Sequence, residues 1–280
     1  MAVIAKILSL ITAVFMLIPN GLNMMFNGDI YKYDSITSSI GLVTLAKSQG
    51  VTNDGESWFF SGKNILLKQN IETGVIEEVN MKPFEGLEDL GVKHMGGISW
   101  YDGFIYVAME DSKVWNSPTV AVFDAETLEF TGKYNVFDTE ILFRGCPWVC
   151  CDAERKCIYV GNSRQATEIY AFDIDTFEYI KTISLDSEVK AIQGAEMYKG
   201  EIIAATNDDT RAVYSINVET GKYEKLFDRI MYQPKLIDNF GGEGEGITVL
   251  EMEDGTVFHA LNLGTLFIDS NLRHYKPVEK

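Results

Sequence analysis

The segment Glu243-Gly244-Glu245-Gly246 places two carboxyl groups two residues apart. On an extended chain, residues at this spacing face the same side. Two carboxyls so placed suit general acid–base work, which makes Glu245 and Glu243 catalytic candidates. The glycines also permit a bulge that would separate the pair. Carboxylate and amide oxygens are the ligands a hard cation takes, so Glu245 with Asn207 and Asp208 forms a candidate calcium set. The other reading of these residues is an acidic loop on an acidic protein. The chain has three histidines, His94, His259 and His274, too scattered for a zinc triad. His94 is a candidate general base, or a hydrogen-bonded loop histidine. The four cysteines cluster as Cys146, Cys150, Cys151 and Cys157. One disulfide, buried free thiols and a metal site all fit that cluster. No nucleophile elbow, phosphate-cradling glycine loop or dinucleotide fingerprint is present.

Repeated β elements must position these groups. Asn70-Ile71-Glu72-Thr73-Gly74, Asp124-Ala125-Glu126-Thr127-Leu128, Asp173-Ile174-Asp175-Thr176-Phe177 and Asn217-Val218-Glu219-Thr220-Gly221 share one turn signature. Their Thr residues are 54, 49 and 44 positions apart. Asx and Thr side chains cap such turns by bonding nearby backbone amides. A fifth, degenerate copy is expected at Asp269-Ser270-Asn271-Leu272. Upstream of each turn lies a second signature, a short strand, a turn and an apolar strand, beginning at Gly50, Gly96, Pro147, Gly194 and Gly246. Asp102-Gly103 and Asp254-Gly255 are tight-hairpin dipeptides. Each unit reads as four antiparallel strands, the size of a propeller blade. The pattern predicts an all-β, five-bladed β-propeller over residues 29–280. The last copy has three strands, and Ile30-Tyr31-Lys32-Tyr33 resembles the outer strands of the other copies, so the N-terminal segment is expected to close the last blade. Two β-sandwiches would not repeat one signature five times.

Residues just before the inner strands and just after the second strands ring the mouth of a propeller's channel. That set contains Gln49, His94, Arg144, Gln193, Glu243 and Glu245, together with Glu110, Asn162, Asn207 and Asp208. Such converging polar groups mark a binding site, with Gln49, Gln193, Arg144, Glu110 and Asn162 as ligand-binding candidates. A solvated channel mouth is the alternative.

Three phrases point to a family. SQGVTND at 48–54, IQGAEMY at 192–198 and EGEGIT at 243–248 resemble phrases of the glutaminyl cyclotransferase propellers, with Gln-Gly elements at Gln49-Gly50 and Gln193-Gly194. Glu245 stands where that family usually has Trp, and the order around the ring differs. The Glu-Gly start and the loop Asn and Asp residues also resemble gluconolactonase-type propellers, which hold one calcium or zinc. The resemblance implies a secreted five-bladed fold and a small-molecule hydrolase, lactonase or cyclotransferase. The competing expectation is a non-catalytic module that binds a peptide, glycan or envelope protein.

Residues 1–28 read as a signal peptide or membrane anchor. Ile7 to Ile18 is uncharged, follows Lys6 and precedes Pro19 and Gly21. Twelve helical residues span about 18 Å, short of a bilayer core of about 30 Å, which suits a signal h-region. The body is thus expected outside the cytoplasm, secreted or anchored, touching membrane only through this segment, and monomeric. With 24 basic and 41 acidic residues the chain carries −17, and no basic stripe is present for nucleic acid. The 280 residues bury enough surface to fold without metal or disulfide staples.

Overall fold

The computed structural model describes residues 31–40, 42–111, 116–164, 166–229, 242–264 and 269–277. The segment 1–28, and with it the export expectation, lies outside the described residues. Among those described, no helix is long and apolar enough to cross a membrane.

The chain enters through β1 (Tyr31–Ile40) and one helical turn, α1 (Leu42–Ala46). The first blade is β2 (Gly50–Asn53), β3 (Ser57–Ser61), β4 (Leu66–Asn70) and β5 (Ile76–Asn80). The second is β6 (His94–Tyr101), β7 (Phe104–Glu110), β8 (Thr119–Asp124) and β9 (Phe130–Val136), and the third is β10 (Val149–Asp152), β11 (Cys157–Val160), β12 (Ala166–Asp173) and β13 (Tyr179–Val189). The fourth is β14 (Ile192–Tyr198), β15 (Glu201–Thr206), β16 (Ala212–Asn217) and β17 (Tyr223–Asp228). The fifth runs outward from β18 (Glu243–Val249) through β19 (Phe258–Leu263) and β20 (Asp269–Pro277), with β1 outermost. The five four-stranded antiparallel sheets are a five-bladed propeller. β1 pairs with β20 from Tyr31↔Pro277 to Ile40↔Asp269, so the N-terminal strand closes the ring and is longer than the Ile30–Tyr33 motif suggests. Closure of this kind covers an edge that would otherwise pair with another chain.

The turn signature has the predicted mechanism in all four full copies. Asn70, Asp124, Asp173 and Asn217 each accept the backbone N–H and the hydroxyl of the Thr three residues on. The next residue is left-handed in every copy: Gly74 and Gly221, but also Leu128 at φ 56° and Phe177 at φ 60°. Leu128 tolerates this because its side chain is buried and its carbonyl accepts Asn80 Nδ2. The fifth copy is a correction. Asp269-Ser270-Asn271-Leu272 lies inside β20, not in a turn, because these residues pair with β1 on one side and β19 on the other.

Each pair of neighbouring blades encloses its own apolar core. Alternation along a strand therefore feeds two cores, and inner strands are buried on both faces. The cysteines follow this rule. Cys150 and Cys157 enter the core between blades three and four, whereas Cys146 and Cys151 enter the one between blades two and three. All four are free, buried thiols.

Glycines let the inner strands meet on the axis. A Cβ on Gly194 would lie 2.6 Å from Gly246 Cα, and one on Gly246 would lie 2.8 Å from Val51 N. A Cβ on Gly50 would lie 2.8 Å from Ile98 N, and one on Gly97 would lie 2.7 Å from Gln193 O. Hydrogen bonds tie the same layer, Gly246 N to Gln49 O at 2.9 Å and Gly97 N to Pro147 O at 2.7 Å. The channel is closed by backbone at this level.

Candidate functional site

Above the glycine layer, the starts of the inner strands surround a cavity of about 800 Å³. Gln49, His94, Glu110, Gln193, Asn207, Asp208, Glu243 and Glu245 all line it. Six carboxyl groups (Glu110, Glu188, Asp208, Asp209, Glu243 and Glu245) face two fixed cations, Arg164 and Lys190. Such a mouth favours a cationic or amine-bearing ligand.

Glu243 and Glu245 sit where β18 bulges, since the register with β19 shifts between Gly244 and Ile247. The bulge does not separate the carboxyls, which hydrogen-bond each other. Glu245 is 2% exposed. Burial, and then the neighbouring charge and hydrogen bond of Glu243, hold its pKa well above the ordinary carboxyl range. A buried carboxyl beside a second one is held in its neutral form, because a desolvated site disfavours the charge. Asn207 fixes the strand entry by accepting Gly244 N–H at 3.0 Å, and Arg211 donates to Gly242 O at 2.8 Å. Beneath them lies Arg229, fully buried, which donates to the carbonyls of Arg211, Leu261 and Thr206.

A second pair lines the same cavity. His94 and Glu110 are cross-strand partners on β6 and β7, with Nδ1 3.3 Å from Oε1. The buried Oε2 of Glu110 and Nδ1 of His94 have no hydrogen bond. Cys146 is close enough to feel the Glu110 charge, but burial above all drives its pKa well up, so it is a thiol and not a poised nucleophile.

Arg144 and Asn162 do not line the cavity. Asn162 accepts Arg144 N–H at 2.8 Å and donates to Ile141 O at 3.0 Å, clamping the loop ahead of β10. Asp208 lines the cavity, but its Oδ1 accepts the amides of Thr210 and Ala212. Asn207 Oδ1 likewise accepts a backbone N–H, that of Gly244. Among the described residues no group of three or more His, Cys, Asp or Glu side chains is placed to hold a metal. His259 and His274 are far from chemistry. They are buried with Nδ1 atoms 2.7 Å apart against Trp58. Sequence reasoning missed Glu188, near the end of the eleven-residue β13, and Lys190, just past it, which both line the cavity.

No family model matches the sequence, and no curated protein does. Among solved structures, the chain is similar to the glutaminyl cyclase of Myxococcus xanthus with a TM-score of 0.60 and 13% identity, covering 89% of this chain and 97% of that one. The likeness is one of fold. It also matches hydrazine synthase of Kuenenia stuttgartiensis with a TM-score of 0.45 and 17% identity, covering 78% of this chain and 62% of that one. Sqt1 of Saccharomyces cerevisiae matches with a TM-score of 0.41 and 11% identity, covering 81% of this chain and 57% of that one.

Proposed function

We propose that the mouth cavity binds a small amine-bearing molecule or a peptide N-terminus and catalyses intramolecular acyl transfer, with cyclisation of an N-terminal glutamine as the specific reaction. The observation that carries this reading is the buried Glu245 carboxyl, hydrogen-bonded to Glu243 on the wall of a large acidic cavity. In such a reaction the α-amine forms a bond to its own side-chain amide carbon and loses a proton. The carbon–nitrogen bond of the amide then breaks, and ammonia departs with a proton. Glu245, held neutral by burial, returns a proton to the leaving nitrogen, and the neighbouring Glu243 takes one from the amine. Gln49 and Gln193 supply amide groups beside the reacting centre, and His94 with Glu110 offers a second proton-handling pair. The fold likeness to a glutaminyl cyclase supports the choice of reaction. The apolar Ile7–Ile18 segment supports placing it outside the cytoplasm. Calcium is the competing occupant of the same carboxylates.

The test is ammonia release from peptides that begin with glutamine, with Glu245→Gln as the comparison. Loss of a general acid–base group lowers turnover by roughly 100- to 10,000-fold. Stabilisation of the unreacted protein by simple amines, without ammonia release, would support the binding-module reading. A melting temperature that rises with calcium and not with amines would replace the amine site by a cation site.

A further inference from the structure

Among the described residues one lysine is buried. Lys47 directly follows α1 and is 4% exposed. It lies where blade one meets blade five, the seam that β1 closes. Its ammonium donates to Gln69 Oε1 and sits 4.5 Å from the centre of the Phe60 ring. Gln69 is oriented for this by its other end, with Nε2 donating to Gly74 O at 2.5 Å. An ammonium has three donors, and neither an amide oxygen nor a ring face carries a formal charge. No carboxyl of the described residues pairs with Lys47. A buried charge is costly until something balances it.

Lys47 lines a cavity of about 10 Å³, room for one water-sized particle. Trp58, Phe60, Leu261 and Leu272 give the cavity apolar walls. Ser270 lines it too, and its Oγ is buried without a hydrogen-bond partner. Ser270 belongs to β20, flanked by β1 on one side and β19 on the other. The closing seam thus brings an unbalanced cation from the blade-one side and an unspent hydroxyl from blade five to one small cavity.

We propose that this cavity binds one small monovalent anion, a halide such as chloride, between the Lys47 ammonium and the Ser270 hydroxyl, and that the anion locks the seam of the ring. A halide accepts from both donors and neutralises the charge in place, whereas a water accepts but leaves the charge unbalanced. The size of the cavity excludes phosphate, sulfate and organic acids. It shares no lining residue with the mouth cavity, so the site stands apart from the proposed reaction.

Burial lowers Lys47 to about 8, which leaves it charged at neutral pH. Other charged groups of the surrounding strands are accounted for. Lys68 on β4 lies over Phe59, on the opposite face of the blade. Arg273 on β20 alternates away from Ser270 and Leu272 and bonds Asn271. His259 and His274 pack on Trp58 in the same core.

The experiment is denaturant unfolding with sodium chloride exchanged for sodium gluconate, an anion too large for the cavity, at constant ionic strength so that screening is unchanged. At pH 7 the folding equilibrium constant of wild type should rise with chloride, approaching about tenfold for each tenfold of chloride above the dissociation constant. At pH 10 the charged form of Lys47 falls about a hundredfold, and the rise should disappear. Lys47→Met keeps the length of the side chain and both histidines, and should show no chloride dependence at either pH. A wild type indifferent to chloride, or an equal rise in Lys47→Met, overturns the site. If the variant fails to fold, crystals of the wild type soaked in bromide decide. An anomalous bromide peak between Lys47 Nζ and Ser270 Oγ supports the site, and its absence refutes it.

Discussion

Gly194→Ala tests the closed axis by the sign of its effect. Gly194 does not occupy the left-handed region, so alanine fits its backbone conformation. In open space the change would stabilise the protein by about 0.4–1 kcal/mol, by restricting the unfolded chain. Here the new Cβ would meet Gly246 Cα at 2.6 Å, Ile247 N at 3.1 Å and Gly246 C at 3.3 Å. All three are backbone atoms, and Gly246 is tied by its own hydrogen bond to Gln49 O. No side chain can rotate away, so the clash falls at the upper end of overpacking penalties, about 3 kcal/mol. Subtracting the unfolded-state gain leaves a net loss of about 2–2.5 kcal/mol. For a domain of this size that is a drop of about 4–10 °C in melting temperature. Differential scanning calorimetry reads the drop, and hydrogen exchange reads lost protection at Gly246 N–H. An alanine variant that melts at or above wild type would mean that the inner strands do not touch on the axis.

Removing residues 31–40 leaves β20 with an unpaired edge, so the truncated protein should melt lower and self-associate. A monomer with unchanged melting on size exclusion and calorimetry would refute the clasp. The four thiols are buried and their pKa values raised. Native protein should therefore resist a thiol reagent, and unreduced protein should show all four groups after unfolding. Fewer than four would reveal a disulfide.

The fold was legible because its repeat is chemical as well as numerical. An Asx side chain caps a turn in any context, so the Asx–Thr signature survives while its fifth position changes from Gly to Leu128 or Phe177. The same logic misreads Asp269-Ser270-Asn271-Leu272, because pairing with β1 and β19 overrides local turn preference, and no local motif reveals a partner more than two hundred residues away. At the mouth, propeller geometry placed Gln49, Gln193, Glu243 and Glu245 together from strand order alone. It failed at Arg144 and Asn162, which do not line the cavity; Asn162 instead bonds Arg144 N–H and Ile141 O ahead of β10.

Glu196 shows the limit most clearly. It sits in the IQGAEMY phrase, in plain view, yet its surroundings depend on what three other strands place at the same level. The alignment needed is glycine plus two: Gly50 to Thr52, Gly97 to Ser99, Gly194 to Glu196 and Gly246 to Thr248. That offset has meaning only once the glycines are known to touch on the axis, because only then do the next inward-facing residues converge. Three hydroxyls and one carboxyl in equivalent positions would read as ordinary alternation on separate strands. Joined by the ring, they bring three hydroxyls onto one carboxyl at the centre of the fold.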